Sequence, residues 1–241
     1  MDEQIIYVRN AVTEALLSGK TIDTVYIQKN AKGLGKIISL AKDAGAVVKD
    51  ANDEKLGTLS EGGKHGGVVA VLAAAEYATV DDLLKVAEEK GEPPFLIIAD
   101  EIQDPHNLGA LIRTAEAAGA HGVIIPKRRS AGLTSTVYKT SAGAVNWLKV
   151  ARVSNLVETI NDLKKKNIWV YGAEADGQPF HKADLSGAVA LVIGSEGFGL
   201  GRLVRESCDM ILSIDMYGKV NSLNASVSGG ILMYEVVRHR R

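Results

Sequence analysis

The chain has 241 residues, 46% hydrophobic composition and a net charge of −1, so it can bury the core of one large domain or two small ones. Its longest apolar runs, such as 188–193, are too short to span a bilayer, and residues 1–10 lack the apolar core of a signal peptide, which predicts a cytoplasmic protein. The single cysteine, Cys208, excludes an intrachain disulfide and a cysteine-based metal cluster and is expected to be a small core residue.

The charge balance argues against a strongly basic nucleic-acid-binding protein. Residues 1–80 carry nine Lys and Arg against ten Asp and Glu, and residues 81–94 carry two against five. Only residues 95–241 are net positive, with 17 against 14. Contacts with a nucleic acid would therefore depend on local positive patches, and their salt dependence should be modest.

Helical and strand patterns alternate at the start of the chain, which predicts a small α/β domain over residues 1–76. The helical patterns lie around 8–16 and 37–41, the strands at 25–27 and 47–48, and a further apolar run at 68–74.

An acidic stretch that ends at Pro93 and Pro94 predicts a linker over 77–94. Within it, residues 81–90 could form a short helix that Gly91 ends.

The remaining residues, 95–241, predict a parallel sheet because apolar strands alternate with helical patterns. The predicted strands are 95–99, 123–125, 168–171, 189–193 and 211–214. Loops that follow such strands collect at one edge of the sheet, where open α/β folds bind their ligands.

The first of three informative segments, 104–109, follows the strand at 95–99 and reads Asp-Pro-His-Asn-Leu-Gly. Asn107 is predicted to be the N-cap of a helix that Gly119 ends. Arg113 lies about one and two-thirds turns beyond Asn107, where it could reach back beside the strand ends. The alternative is an ordinary capped helix with Arg113 on its solvated face.

The second segment, 194–199, reads Gly-Ser-Glu-Gly-Phe-Gly. Its glycine spacing does not fit the dinucleotide motif, which disfavours a nucleotide-binding oxidoreductase, and it is neither a Walker A loop nor a hydrolase elbow. A tight turn would account for the glycines but not for Glu196. Small residues beside a free amide edge would also let an adenine approach the backbone at Gly194.

The third segment, 221–224, reads Asn-Ser-Leu-Asn and caps a helix that opens with small residues. Those small residues predict close packing, in the core or at a dimer interface, alongside a ligand-binding role. The five histidines never occur at metal-ligand spacing, so no metal site is expected. Lys127, Arg128 and Arg129 follow the strand at 123–125 and are candidates for phosphate contact.

The order and wording of these three segments resemble the SpoU family of RNA ribose 2′-O-methyltransferases, within the SPOUT superfamily. The resemblance covers residues 95–238 and includes 129–131 and 140–144. It implies that the parallel-sheet domain ends in a trefoil knot whose loops bind S-adenosylmethionine. It also implies a homodimer in which each active site is completed across the interface.

The N-terminal residues resemble the substrate-binding domain of the large-subunit rRNA members of that family. The likeness lies in 9–16 and 65–70, and it implies that Arg9 and His65 contact RNA. Three positions depart from the family pattern: Val8 replaces a usual glycine, Gly66 a usual glutamine and Asp215 a usual proline.

The resemblance also implies the roles of the site residues. Arg113 is the catalytic residue, and those that would orient it and the loops are Asn107, Glu196, Ser222 and Asn224. The residues that would hold the cofactor, mainly by backbone groups, are Ala173, Gly194, Ile214 and Leu223. Because a guanidinium is always protonated in proteins, we expect Arg113 to clamp a phosphate and stabilise the developing alkoxide, while the phosphate or a water takes the proton.

The predicted activity is methyl transfer from S-adenosylmethionine to a ribose 2′-hydroxyl, on a guanosine of large-subunit rRNA. A tRNA substrate is the alternative, but small tRNA-modifying relatives lack an N-terminal domain. A second alternative is a non-catalytic RNA-binding ribosome-assembly factor with the same fold. Such a factor would be expected to have lost Arg113, Glu196 or Asn224, and all three are present.

Overall fold

A computed structural model describes residues 4–241, so residues 1–3 of the predicted 1–76 domain lie outside the described residues. The chain divides into two compact units. The first runs to Glu76 and includes Gly132–Ser135, and the second comprises Tyr77–Ala131 and Thr136–Arg241.

The first unit is a four-stranded sheet with three helices. Its strands are β1 (Ile5–Tyr7), β2 (Ile22–Gln28), β3 (Val47–Ala51) and β4 (Val68–Leu72), and its helices are α1 (Arg9–Leu17), α2 (Gly35–Asp43) and α3 (Asp53–Leu59). The strand order is β1-β4-β2-β3, with β4 antiparallel to both neighbours and β2 parallel to β3. The core forms where the buried side chains of Val12, Val25 and Ile37 meet.

Part of the predicted linker is an integral helix of the second unit, α4 (Val80–Lys90). A reciprocal capping box between Thr79 and Asp82 starts it, and Gly91 ends it at φ +67°. Leu83 is fully buried against the sheet, and a Cβ at Gly122 would lie 2.5 Å from it. The short helix expected within 77–94 is therefore present, and its apolar face is part of the core of the second unit.

The second unit is a six-stranded sheet in which every pairing is parallel. Its strands are β5 (Phe95–Ala99), β6 (Gly122–Pro126), β7 (Val150–Val153), β8 (Trp169–Pro179), β9 (Val189–Ile193) and β10 (Met210–Ser213), in the order β10-β8-β9-β5-β6-β7. The remaining helices are α5 (Pro105–Ala117), α6 (Ser135–Thr140), α7 (Leu156–Lys165), α8 (Arg202–Ser207) and α9 (Ala225–Arg240). The predicted parallel sheet is confirmed.

Helices cover both faces of this sheet. The buried side chains of α4, α7 and α8 pack on one face, where they meet alternate residues such as Leu96 and Ile98. Helices α5 and α9 pack against each other, and a Cβ at Gly229 would lie 2.5 Å from Leu111 and 3.5 Å from Ile193. The glycine at 229 therefore has a close-packing role within the chain itself.

Candidate functional site

The three predicted segments meet at the carboxyl edge of the six-stranded sheet. From β5 the chain runs outward through β6 and β7, then returns to the other side of β5 with β8, β9 and β10. Strands β5 and β9 are neighbours, with Ala99 paired to Ile193, so the loops after them lie side by side. This reversal of strand order is the position at which open α/β sheets bind ligands.

A side-chain network joins all three segments. The Asn107 Nδ2 donates to Glu196 Oε1 at 3.1 Å, and the Asn224 Nδ2 donates to Asn107 Oδ1 at 2.9 Å and also to Glu196 Oε1. The Asn224 Oδ1 accepts from the backbone of Ser226 at 2.9 Å, so Asn224 is also the N-cap of α9. One residue from each segment is thus fixed against the other two.

The N-cap of α5 is Asp104 and not Asn107, which corrects the sequence prediction. The Asp104 Oδ1 accepts from the His106 amide at 2.9 Å, and Pro105 occupies the first helical turn. Proline is favoured there because it needs no hydrogen-bond acceptor. The side chain of Asn107 is therefore free to bind Glu196 and Asn224.

The glycine-rich loop closes on itself. Ser195 and Gly199 exchange two backbone hydrogen bonds of 3.0 Å, and Gly199 takes φ +65°, which favours glycine. A Cβ at Gly194 would collide with the backbone of Gly199 and would lie 2.7 Å from the Leu200 nitrogen. The space that Gly194 was predicted to leave for an adenine is occupied on that side by the loop itself.

Two carboxylates that the sequence reasoning missed hold the end of this loop. The Glu174 Oε1 accepts from the Leu200 amide at 2.6 Å, and the Asp100 Oδ2 accepts from the Gly201 amide at 2.7 Å. Asp100 is 3% exposed, and burial raises the pKa of its carboxyl. No local sequence pattern marks them: Asp100 directly follows β5, and Glu174 lies within β8.

The segment between β10 and α9 carries free backbone groups. From Ile214 to Leu223, no backbone N–H or C=O forms a hydrogen bond with a described residue. Ile214 and Leu223 are half-buried at the two ends of this segment. Ala173 lies where the pairing of β8 with β10 becomes irregular. Gly172 pairs with Ile211, but the next residue of β10, Leu212, pairs with Gln178. Of the predicted cofactor residues, Gly194 and Ile214 directly follow β9 and β10, Ala173 lies within β8, and Leu223 lies two residues before α9.

Arg113 and Ser222 are not joined to the network. Both side chains are exposed, and neither has a hydrogen bond or ion pair with any residue in 4–241. The predicted orientation of Arg113 by the other site residues does not occur as direct contact within one chain. Its guanidinium is instead available to an external anion.

The positively charged residues after β6 differ in whether an acidic side chain already pairs with them. The Arg129 guanidinium pairs with Glu101 Oε1 at 3.0 Å, and both residues have positive φ, +57° and +55°. Lys127 and Arg128 have no ion pair with a described residue, and Arg128 is exposed. A phosphate would therefore compete with Glu101 for Arg129 but not for Lys127 or Arg128.

In the first unit, Arg9 and His65 are brought together. The Arg9 Nε donates to the Gly66 carbonyl at 2.8 Å, and the His65 Nδ1 accepts from the Gly67 amide at 3.1 Å. The His65 Nε2 lies 3.6 Å from Asp53 Oδ1. The terminal nitrogens of Arg9 have no hydrogen bond to a described residue, so this corner of the unit can receive a phosphate.

Other candidate centres are weak. Within residues 4–241, no three His, Cys, Asp or Glu side chains form a group that could hold a metal ion. Cys208 packs against the core of the second unit, and burial raises the pKa of its thiol to about 12, so it is not a nucleophile. None of the helices in the described part of the chain combines the length and low charge that a membrane-spanning segment needs.

Each of the two units matches a known protein-family model. Residues 94–234 match the SpoU rRNA Methylase family, and residues 5–78 match the domain described as RNA 2′-O ribose methyltransferase substrate binding. A Bacillus subtilis strain 168 protein named as TrmH family tRNA/rRNA methyltransferase YacO is 50% identical, over 100% of this chain and 98% of the relative. A Staphylococcus aureus (strain MSSA476) protein named for the same family is 45% identical over 100% and 98%.

Solved structures share the fold. The SpoU methyltransferase AviRb from Streptomyces viridochromogenes, in complex with AdoMet, has a TM-score of 0.61 and 25% identity, over 99% of this chain and 90% of that one. The AdoMet-bound rRNA methyltransferase from Sinorhizobium meliloti has a TM-score of 0.61 and 24% identity, over 98% and 87%. The A. aeolicus TrmH/SpoU tRNA modifying enzyme has a TM-score of 0.56 and 26% identity, over 66% and 83%.

Proposed function

This chain belongs to the SpoU rRNA methylase family, and from that premise we propose that it methylates a guanosine ribose in an unpaired loop of large-subunit rRNA. It is an S-adenosylmethionine-dependent RNA 2′-O-ribose methyltransferase with an N-terminal substrate-binding domain and a C-terminal parallel-sheet SPOUT domain. The observation that carries the proposed site is the network of Asn107, Glu196 and Asn224. The trefoil knot implied by the family resemblance is part of the proposal.

The residues at the carboxyl edge fit S-adenosylmethionine. The free N–H and C=O groups of 214–223 can satisfy the polar edge of an adenine, and the half-buried Ile214 and Leu223 can contact its faces. Ala173 and Gly194 lie just beyond the paired stretch of β8 and β9, in which Gly172 pairs with Val192. When bound, S-adenosylmethionine supplies an electrophilic methyl group on its sulfonium.

Arg113 would act on the RNA and not on the cofactor. Its exposed, unpaired guanidinium is suited to a bidentate contact with the phosphate beside the target ribose. From there it can stabilise negative charge on the 2′-oxygen as the hydroxyl proton passes to that phosphate or to a water. The network of Asn107, Glu196 and Asn224 fixes the loops that surround the reacting hydroxyl, so most of the rate would come from positioning.

We further propose that the enzyme acts as a homodimer in which Arg113 serves the partner's cofactor site. Within one chain Arg113 makes no contact with the network. The loops at the same edge expose large apolar side chains, with Phe198 95% and Tyr217 96% exposed, and α9 adds Val227 and Tyr234. Light scattering should give a dimer, and mixing an Arg113→Ala chain with a Glu196→Ala chain should restore part of the activity that each lacks. A fully active monomer would contradict this.

The choice of rRNA over tRNA is supported by the first unit. The solved structure named as an rRNA methyltransferase matches 98% of this chain, whereas the one named as a tRNA modifying enzyme matches 66%. A tethered RNA-binding unit raises the effective concentration of a large substrate at the catalytic site. An unpaired loop is expected because it can present a splayed nucleotide, and the 2′-hydroxyl excludes DNA.

Mapping of 2′-O-methyl groups in rRNA and tRNA from cells that lack the gene tests this function. We expect one ribose of large-subunit rRNA to lose its methyl group, and wild-type protein but not Arg113→Ala to restore it. Loss of a tRNA methyl group instead would refute the rRNA assignment. Unchanged methylation with defective ribosome assembly would favour the non-catalytic assembly factor.

A further inference from the structure

Two carboxylates hold the glycine-rich loop from opposite sides of β9. Glu174 lies on β8 and Asp100 directly follows β5, and these are the two strands that flank β9 in the sheet. They accept hydrogen bonds from consecutive backbone amides, those of Leu200 and Gly201. The contacts therefore fix the loop at the point where it leaves the active-site edge and enters α8.

We propose that Glu174 and Asp100 are positioning residues for methyl transfer, which hold the 194–201 loop so that Glu196 meets Asn107 and Asn224. This inference rests on the function proposed above. Neither residue contacts the network directly, so both act through the loop.

The loop is built around these carboxylates. A Cβ at Gly199 would lie 2.5 Å from Glu174 Oε1, and a Cβ at Gly201 would lie 3.3 Å from Asp100 Oδ2. The glycines at these positions let the backbone approach each carboxylate closely. A side chain at 199 would force the loop and the Glu174 carboxylate apart.

The two carboxylates are also used in an unusual way. Neither forms an ion pair with a described residue, although Asp100 is buried and Glu174 is half-buried. Burying a carboxylate without a cation is costly unless hydrogen bonds compensate. Here the compensation is a charge-assisted bond to a loop amide, which is stronger than a neutral one. These two hydrogen bonds therefore offset the burial of the carboxylates and hold the loop at the same time.

Hydrogen exchange of the cofactor-free protein tests the inference directly. In Glu174→Ala, the amides of 195–201 should exchange at least about tenfold faster, which corresponds to the loss of one charge-assisted hydrogen bond. Glu174→Gln and Asp100→Asn keep an acceptor oxygen and should recover most of the protection. Asp176→Ala is the matched control, because Asp176 lies on the same strand but pairs with the surface residue Arg205 at 2.8 Å.

Ligand binding and kinetics separate positioning from simple stability. Glu174→Ala should raise the calorimetric dissociation constant for the demethylated cofactor product about tenfold and should lower kcat, with the KM for RNA unchanged. Glu174→Gln should restore both. Wild-type exchange and affinity in Glu174→Ala, failure of Gln to restore them, or equal changes in Asp176→Ala would overturn the inference. Faster exchange in a chain that bound no cofactor would support the clamp while the proposed function failed.

Discussion

The side-chain amide of Asn224 donates to the side-chain oxygen of Asn107 at 2.9 Å, across 117 residues of sequence. Asn224 simultaneously caps α9, and Asn107 lies in the first turns of α5. The contact therefore ties the starts of two packed helices together at the ligand-binding edge. Glu196 accepts from both amides, which places a carboxylate between the two helix starts, where the helix dipoles favour negative charge.

Replacing Asn224 should separate its capping role from its role in the site. Loss of an asparagine N-cap costs about 1 kcal/mol of stability. We expect Asn224→Ala to show that loss together with a fall in kcat of at least about a hundredfold, comparable to the removal of one preorganised active-site donor. Thermal unfolding and methyl-transfer kinetics measure the two effects.

Asn155→Ala is the matched control for that experiment. Asn155 is also an asparagine N-cap, whose side chain accepts from the Glu158 amide at 3.3 Å at the start of α7. We expect a similar stability loss with unchanged kcat. If Asn155→Ala reduced activity as strongly, capping alone would explain the effect of Asn224→Ala.

Arg113→Ala should lower methyl transfer by about a hundred- to a thousandfold, since one preorganised donor to a developing oxyanion is lost. Cofactor affinity should stay unchanged, because the proposed contacts are with the RNA. Single-turnover rates and calorimetry measure these separately. Arg202→Ala is the control, because Arg202 is an exposed arginine of the same unit that pairs with Glu206. If Arg113→Ala kept wild-type turnover, the catalytic role of Arg113 would be wrong, and Glu196 or His106 would be the next candidates.

Val8, which replaces the glycine usual in the family, has a strained backbone conformation. It takes φ +76°, a backbone conformation that is strained for a β-branched residue and natural for the glycine usual at this position. Such strain costs on the order of 1–3 kcal/mol. Glycine would remove it, but glycine also loses more chain entropy on folding, which costs about 0.5–1 kcal/mol. Val8→Gly should therefore raise the free energy of unfolding of the first unit by roughly 1 kcal/mol.

Denaturant unfolding checks this, with Val220→Gly as the control. Val220 is also an exposed valine, at 67% against 43% for Val8, but it does not have positive φ. Its replacement should give no stabilisation. A Val8→Gly protein that is less stable than wild type would show that the strain is small.

The sequence predicted the buried elements best. Strands β5 and β9 were predicted to the residue, because all five residues of each are apolar and buried on both faces. Strand β7 was missed, since it is a four-residue edge strand with two half-buried residues. Strand β1 and helix α3 were also missed, because three residues and a single buried leucine leave little periodic signal.

The site was predictable where residues are clustered in sequence and not where they act singly. Asn107, Glu196 and Asn224 stand in recognisable segments, and they meet as the parallel topology requires. Asp100 and Glu174 belong to none of the three segments, and their hydrogen-bond partners lie 101 and 26 residues away, which no local pattern reveals. The cap was assigned to Asn107 although Pro105, which favours the first helical turn, pointed to Asp104.

His121 should make the stability of the second unit fall in mild acid. Its buried Nδ1 accepts from the Phe95 amide at 2.9 Å, so the proton of the neutral ring lies on Nε2, 3.0 Å from Glu92 Oε2. Burial lowers the pKa of His121, although Glu92 opposes the shift. As the pH falls below about 6.5, the unfolded chain takes up the proton first, and stability is lost until the pKa of the folded state is reached.

His121→Asn keeps an acceptor near the Nδ1 position without titrating, so its melting temperature should be lower near neutral pH but should change less from about pH 8 to about pH 5. His106→Asn, at an exposed position, should keep the wild-type slope. If His121→Asn showed the same acid-induced loss as wild type, another group would have to be responsible.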